Sequence, residues 1–530
     1  MERLLLGQTV SAETVLPPRK IWGVSLRDGP RGRLRACLFY ALGLLLVSIT
    51  IQRERFGIPL ELDAPVVAVM GVLVLLVSPR AVFRIWAYPL ILPMVGFVLT
   101  GYASCLANSG DLGEVARSGS SLFDVCLRQS AVLTYRAIMF YVVVFAASLL
   151  PEMRRKPPVI MLGLLLVQTL GSLAFLPLYP NPVSELVIRG DQFGEGSLAL
   201  MGTFLEPNLF GIFAVTTVVL WIPLALCVSE KRALARSLAC MQIGIVAVYM
   251  SYTRSAWLAL IGVYCVLAAV VFAGFKVGGH HRRRIILIVG AMIALGFALA
   301  VVVSRSLHGE EASAAMVERS SQLVEEASRL VDEASGAPLE NSSQILEGLS
   351  GSGGSRLQIW SIALEEWARK PILGWGLLSF EPTTIYPTGG WLYGSLVQTL
   401  HDTGLLGVLF MLWLCAGVAV HTWRSYRTVD AEVDRAIALG YLASLAALFF
   451  ASQFSSFFWG GLTWVLFGLA VGYNGLAPEG HPGNGAPLEG TESLIEGAVP
   501  GQGGDTRSTA VQTRHGRPTR TPSIQPPLPG

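Results

Sequence analysis

Charge is what this sequence has least of: Asp, Glu, Lys and Arg make up 14% of its 530 residues, against 52% hydrophobic. A soluble chain of this length needs a far more polar surface, so a soluble globular protein is excluded. The net charge of +3 is too small to suggest a nucleic-acid partner. Cysteine is sparse too; seven residues with no Cys-x-x-Cys spacing give no reason to expect a metal centre. The opening stretch, MERLLLGQTVSAETVLPPRK, has no apolar core followed by a small-residue cleavage site. It is expected to be a cytoplasmic tail and not a removed signal.

Apolar length is what the sequence has in abundance. Runs of the length needed to cross a bilayer fall near 36–51, 60–79, 84–105, 130–150, 158–178, 199–228, 235–252, 255–275, 285–304, 404–420, 436–452 and 457–473. The expected fold class is an all-α, polytopic membrane bundle of about twelve transmembrane helices. Its expected parts are a tail over 1–35, nine helices over 36–304, a large extracytoplasmic loop over 305–403, three helices over 404–473, and a disordered cytoplasmic tail over 474–530. That last segment is rich in Pro, Gly, Thr and Ser and lacks apolar periodicity.

Cations set the orientation. Every second loop is basic: Arg80 and Arg84, then Arg154, Arg155 and Lys156, then Lys231, Arg232 and Arg236, then His280 to Arg284, then Arg424 and Arg427. The reading is a multi-pass protein of a bacterial plasma membrane with both termini cytoplasmic. Three sizeable segments then lie outside, at 106–129, 179–198 and 305–403. Cys105 and Cys126 flank the first; they form a disulfide there or stay as two thiols, and geometry decides. In the third, 305–354 is an acidic, Ser/Gly-rich insert. Residues 355–370 of SRLQIWSIALEEWARKPILGWG place Leu357, Trp360, Ile362, Ala363, Leu364 and Trp367 near helical spacing. An amphipathic helix is expected at the outer interface, with Trp360, Trp367, Trp375 and Trp391 suited to an aromatic belt.

Charged and polar groups in or beside hydrocarbon are costly, and so point to function. The stretch TFLEPNLFG puts Glu206, Pro207 and Asn208 inside an apolar run. Pro207 should stop one helix and Asn208 cap the next, leaving Glu206 facing a polar cavity. Arg136 lies about two turns inside the fourth span, either snorkelling outward or facing a cavity. Arg254 follows the seventh span on the outer side, against the positive-inside trend. Arg356 opens the amphipathic helix behind a Gly-rich approach, with Asp402 further along the outer segment. Asp63 and Glu61 read as plain interfacial residues. Arg254 and Arg356, with Arg136 and Arg189 as further candidates, gather at the outer face and suit a diphosphate, which arginines grip in bidentate fashion. Glu206 is either a general base there or the partner of an arginine.

Several motifs in order resemble the O-antigen ligase and O-antigen polymerase superfamily of bacterial membrane glycosyltransferases. They are MGTFLEPNLFG, the Arg254-x-x-x-Leu258 segment, Ser355–Trp360 followed by Pro371–Gly376, and Gly404-x-x-Gly407 after Asp402. The resemblance covers roughly 36–473 and is sharpest over 200–410. It implies a metal-independent, cofactor-free transfer of glycan from a polyprenyl-diphosphate-linked oligosaccharide to a glycan or lipid acceptor at the outer face. Membrane lipids and other polysaccharide-export proteins are the remaining partners it implies. Arg254 and Arg356 would bind the diphosphate, and Asn208 and Glu206 would belong to the loop lining the cavity; Arg136 joins these binding candidates by its in-membrane charge alone. Ligases of this kind carry a His eleven positions before the first Gly of Gly-x-x-Gly, and here that position is Tyr393. His401, three residues before Gly404, has the wrong spacing. The departure favours the exopolysaccharide-polymerase branch, with Glu206, Asp402 or Tyr393 as acid or base. Two rivals remain: a small-solute or anion transporter, which twelve spans and a broken helix also suit, and a scaffold displaying its acidic loop.

Overall fold

The apolar runs become helices because a backbone in lipid has to satisfy its own polar groups. The computed structural model describes residues 20–21, 24–25, 29–51, 62–79, 89–110, 112, 121–150, 154–181, 183–190, 198–204, 206–228, 230–272, 282–308, 317, 321, 354–380, 392, 394–455 and 460–475. Thirteen α-helices are found among them. In chain order they are α1 Gly29–Ser48, α2 Asp63–Val77, α3 Ile91–Ala107, α4 Leu122–Leu149, α5 Lys156–Phe175, α6 Pro207–Leu226 and α7 Lys231–Met250. Then come α8 Arg254–Phe272, α9 Arg282–His308, α10 Gly354–Arg369, α11 Ser395–Thr428, α12 Glu432–Ser452 and α13 Gly461–Gly475. Eight are long and apolar enough to cross a membrane, and α2, α3 and α13 are shorter apolar helices. The protein is thus a multi-pass helical membrane protein. The acidic insert beyond His308, apart from residues 317 and 321, and the C-terminal tail beyond 475 lie outside the described residues, as does Tyr393.

Helix α6 runs through the centre: every residue from Phe210 to Leu226 is buried. A helix apolar all round has no solvent or lipid face to offer, and burial on every side is the result. Its closest neighbour is α12, where small residues let two backbones approach. Ser444 Oγ donates to the Thr216 carbonyl at 2.7 Å, and Gly440 lies against the Leu220 carbonyl. That register is antiparallel, and two further turns bring Asn208 level with Ser452. Helix α13 meets α4 in parallel through Gly468 beside Phe140 and Val143, and Gly472 beside Val144.

The two ends of the bundle differ in character. At one, Arg154 and Arg155 meet Asp434 at 3.3 and 3.5 Å, and Arg35 donates to the Leu149 carbonyl at 2.8 Å. The other, the polar-loop end, gathers the start of α6, the turn between α7 and α8, residues 370–380 and the start of α11. Ser395 Oγ donates there to the Ser455 carbonyl at 3.4 Å, just past α12.

Two expected elements take a different form. The run 199–228 is not one span broken at Pro207. Residues Leu198–Leu200 form strand β2, paired antiparallel with β1 (Ile188–Gly190), while α6 starts at the proline. Proline lacks an N–H and has φ preset, so it belongs at the first helical position. Glu206, not Asn208, is therefore the N-cap residue, extended at φ −136° and ψ 147°. The second difference is α11, which begins at Ser395 inside the expected loop and runs on past a non-helical residue, Gly404 (φ 66°, ψ −166°).

Candidate active site

The Glu-Pro-Asn turn is held by the corner between α7 and α8. Thr253 Oγ1 donates to the Pro207 carbonyl at 3.2 Å and lies 3.4 Å from Asn208 Oδ1. Gly211 fits under this corner; a Cβ there would come within 2.8 Å of Ser251 and Thr253 side-chain atoms. Arg254 follows directly as the first residue of α8, half-buried. The structure thus joins two expected site segments, Glu206–Asn208 and Thr253–Arg254, through one threonine hydroxyl.

A second constellation is built from residues 370–380 and the kink in α11. The kink frees backbone groups, and the preceding segment satisfies them. Leu405 and Leu406 N–H donate to the carbonyls of Pro371 and Ile372 at 2.9 and 3.3 Å. In return, Trp375 and Gly376 N–H donate to the carbonyls of His401 and Asp402, each at 2.9 Å. Contact this close requires glycine on both sides. A Cβ on Gly374 (φ 67°) would lie 2.3 Å from the His401 carbonyl oxygen, and one on Gly404 would lie 2.3 Å from that of Ile372. The Pro-Ile-Leu-Gly-Trp-Gly and Gly-x-x-Gly segments are two halves of one lock.

Side chains from α3 and α4 buttress the lock. Ser104 Oγ donates to the Asp402 carbonyl at 2.7 Å, and Asn108 Nδ2 donates to that of Gly374 at 2.9 Å. Lys370 Nζ donates to Asn108 Oδ1 and sits 3.7 Å from the centre of the Trp375 ring. Cys105 and Cys126 are joined as a disulfide, the outcome left open above. Leu377 N–H donates to Cys126 Sγ at 3.0 Å, so the disulfide is part of the floor beneath the lock.

Inside the lock lies a carboxylate–imidazole–carboxylate row. His401 Nδ1 is 3.0 Å from Asp402 Oδ1, and His401 Nε2 is 3.0 Å from Glu366 Oε2 on α10. With both carboxylates ionised they can only accept, and in that state both ring nitrogens donate and the ring is an imidazolium. Asp402 Oδ2 also accepts from Gln398 Nε2 at 2.7 Å and from Leu378 N–H at 3.0 Å. His401, set aside by motif spacing, is the centre of the row, and Glu366 was not among the expected site residues. The available signal was a Glu on the amphipathic helix and an adjacent His-Asp pair before a Gly-x-x-Gly.

Of the other expected residues, Arg136 is paired with a carboxylate. Its Nη1 donates to Asp63 Oδ2 at 2.5 Å, linking α4 to α2, with side chains 14% and 10% exposed. Asp63 is thus the counter-charge of an intramembrane arginine and not a plain interfacial residue. Removing one partner leaves a buried charge unmatched, so Arg136→Leu should cost about 3–5 kcal/mol of stability. The double variant Asp63→Leu/Arg136→Leu should recover most of it. Thermal melts in detergent check this; equal loss in the single and double variants would rule the pairing unimportant. Arg189 is exposed on β1, and Arg356 lies in the first turns of α10.

Residues 239–412 match the family model described as O-antigen ligase. No curated protein matches the chain. The matched stretch includes the Thr253–Arg254 corner, α10, the lock and the Glu366–His401–Asp402 row.

Proposed function

From the match of residues 239–412 to the O-antigen ligase family model, we propose that this membrane protein transfers a glycan from a polyprenyl-diphosphate-linked donor to a glycan or lipid acceptor. The reading puts the polar-loop end of a twelve-span bundle at the outer face of a bacterial plasma membrane, with the termini inside. Support comes from the charge pattern, since the opposite end carries Arg35, Arg154 and Arg155. The family acts on polyprenyl-linked glycans, which fits an oligosaccharide carried on a lipid. The observation that carries the reading is the Thr253 contact: it fixes the Glu-Pro-Asn turn beside Arg254 at the end where the lock forms.

In this reading Arg254 and Arg356 hold the diphosphate and Asn208 lines its pocket. Arg136, neutralised by Asp63, supports the bundle. Glu206 shapes the start of α6 through its backbone, and its carboxylate faces the same pocket. Asp402 acts through His401, because its carboxylate is buried and occupied by three donors.

Each charge-assisted contact contributes about 1.5–3 kcal/mol. Arg254→Ala and Arg356→Ala should therefore lower glycan transfer by roughly 10- to 100-fold each, while the protein remains inserted and folded. Cells carrying either variant should accumulate lipid-linked oligosaccharide and lose polymer. Normal polymer from both variants would sink the proposal. Solute flux into proteoliposomes without any lipid-linked donor would point instead to transport.

A further inference from the structure

We propose that Glu366 is the catalytic carboxylate that takes the proton from the acceptor hydroxyl, and that His401 and Asp402 hold it ready. The assignment rests on the glycan-transfer reading above and names the residue that would perform its proton step.

Exposure separates the three members of the row. The His401 and Asp402 side chains are 2% and 1% exposed, whereas that of Glu366 is 36% exposed. Only Glu366 can meet a substrate. Saturation separates them again. Asp402 receives donors from His401, Gln398 and Leu378. Glu366 uses Oε2 for His401, and among the described residues its Oε1 meets no donor.

Charge points the same way. Two carboxylates share one imidazolium, so the row carries one uncompensated negative charge. At Asp402 the neutral donors offset part of the burden, and the remainder falls on the exposed member. One proton arriving at Glu366 brings the row to neutrality without disturbing the buried His401–Asp402 pair. Glu366 is also fixed in space: Trp375 Nε1 donates to its carbonyl at 2.7 Å, and Trp375 is itself tied to the lock. A carboxylate aimed by a buried imidazolium is a preorganised proton acceptor.

The step balances without a further reactant. The acceptor O–H proton passes to Glu366 Oε1, and the oxygen forms a bond to the anomeric carbon of the donor. The bond between that carbon and the diphosphate oxygen breaks, its electron pair leaving with the polyprenyl diphosphate. Glu366 then returns the proton to the diphosphate or to water.

The alternative is that Glu366 is only a clasp between α10 and α11. Glu366→Gln separates the two, because the amide oxygen still accepts from His401 while the proton acceptor is gone. The measurement is transfer by purified full-length protein in nanodiscs, supplied with polyprenyl-diphosphate-linked oligosaccharide. Expected is a fall in kcat of about 10²- to 10⁴-fold, with unchanged KM for the donor and an unchanged melt. Glu366→Asp should regain part of the rate, and His401→Gln should lower kcat less than Glu366→Gln.

Wild-type turnover by Glu366→Gln overturns the assignment and leaves the transfer reading intact. Equal losses in Glu366→Gln and Glu366→Asp, with raised KM and a lowered melt, overturn it in favour of the clasp. Wild-type protein that consumes no donor overturns both.

Discussion

Asp402→Leu should destabilise the protein more than any other single side-chain change at the lock. Three donors lose their acceptor together: His401 Nδ1, Gln398 Nε2 and the Leu378 N–H. The buried imidazolium then keeps one carboxylate of two, and that one is partly exposed. Breaking a buried pair from one side costs about 3–5 kcal/mol, chiefly because a desolvated charge is left behind. Asp402→Asn should fall between, since its one carbonyl oxygen still serves one donor while its amide faces another. Thermal melts in detergent, with limited proteolysis across 370–404, measure both. If Asp402→Leu melts within about 0.5 kcal/mol of the wild type, as neutral surface changes do, the carboxylate does not hold the lock.

Gly404→Ala should be the most damaging one-carbon change in the chain. Its φ of 66° and ψ of −166° lie in a region essentially reserved for glycine, which alone costs a substituted residue on the order of 1–3 kcal/mol. The added carbon would also lie 2.3 Å from the Ile372 oxygen and 2.6 Å from the Leu373 nitrogen. Those are backbone atoms and cannot swing aside as a flexible side chain can. The two strands of chain must separate, and Leu405 and Leu406 N–H lose their acceptors. Loss of glycan transfer together with a lowered melt is expected. Gly262→Ala is the matched control, because a Cβ there meets nothing within 4 Å. It should be neutral or slightly stabilising, as Ala is the better helix former. Equal behaviour of the two variants would show that the kink tolerates a side chain.

The helices were readable because hydrocarbon thickness sets their length and lipid sets their composition. The twelve apolar runs each contain or overlap a helix, and α10 lies within a residue of the expected amphipathic segment. The start of α6 departs from the expected span for a local reason. Apolar Leu198–Leu200 continues the hydropathy of the span, and a three-residue strand is indistinguishable there from a helical turn. Proline at the first helical position, with an extended residue before it, was the better description.

The candidate site was legible only in parts. The cost of an outer arginine singled out Arg254, and the polar triplet singled out Glu206–Asn208. What joined them was a threonine, Thr253, a residue that costs little in lipid and so leaves no mark on composition. The Glu366–His401–Asp402 row was hidden for another reason. Its members are spread over 366–402 on two helices, and Glu366 alone looks like any charge on a solvated helix face. His401 was judged against a fixed motif spacing, which says nothing about what else a buried ring can touch. Asp63 reads as a plain interfacial residue in the sequence because its partner is 73 residues away.

The kink in α11 also divides the helix by length. At 1.5 Å per residue, Leu405–Thr428 is about 36 Å long, enough by itself for a hydrocarbon layer of about 30 Å. Ser395–Thr403 adds roughly 13 Å that the lipid does not need. His401 and Asp402 stand on that surplus, shielded by protein and not by acyl chains. A lipid-borne sugar could then reach Glu366, which they hold, while its prenyl chain stays in the bilayer, so that neither half of the molecule has to change phase.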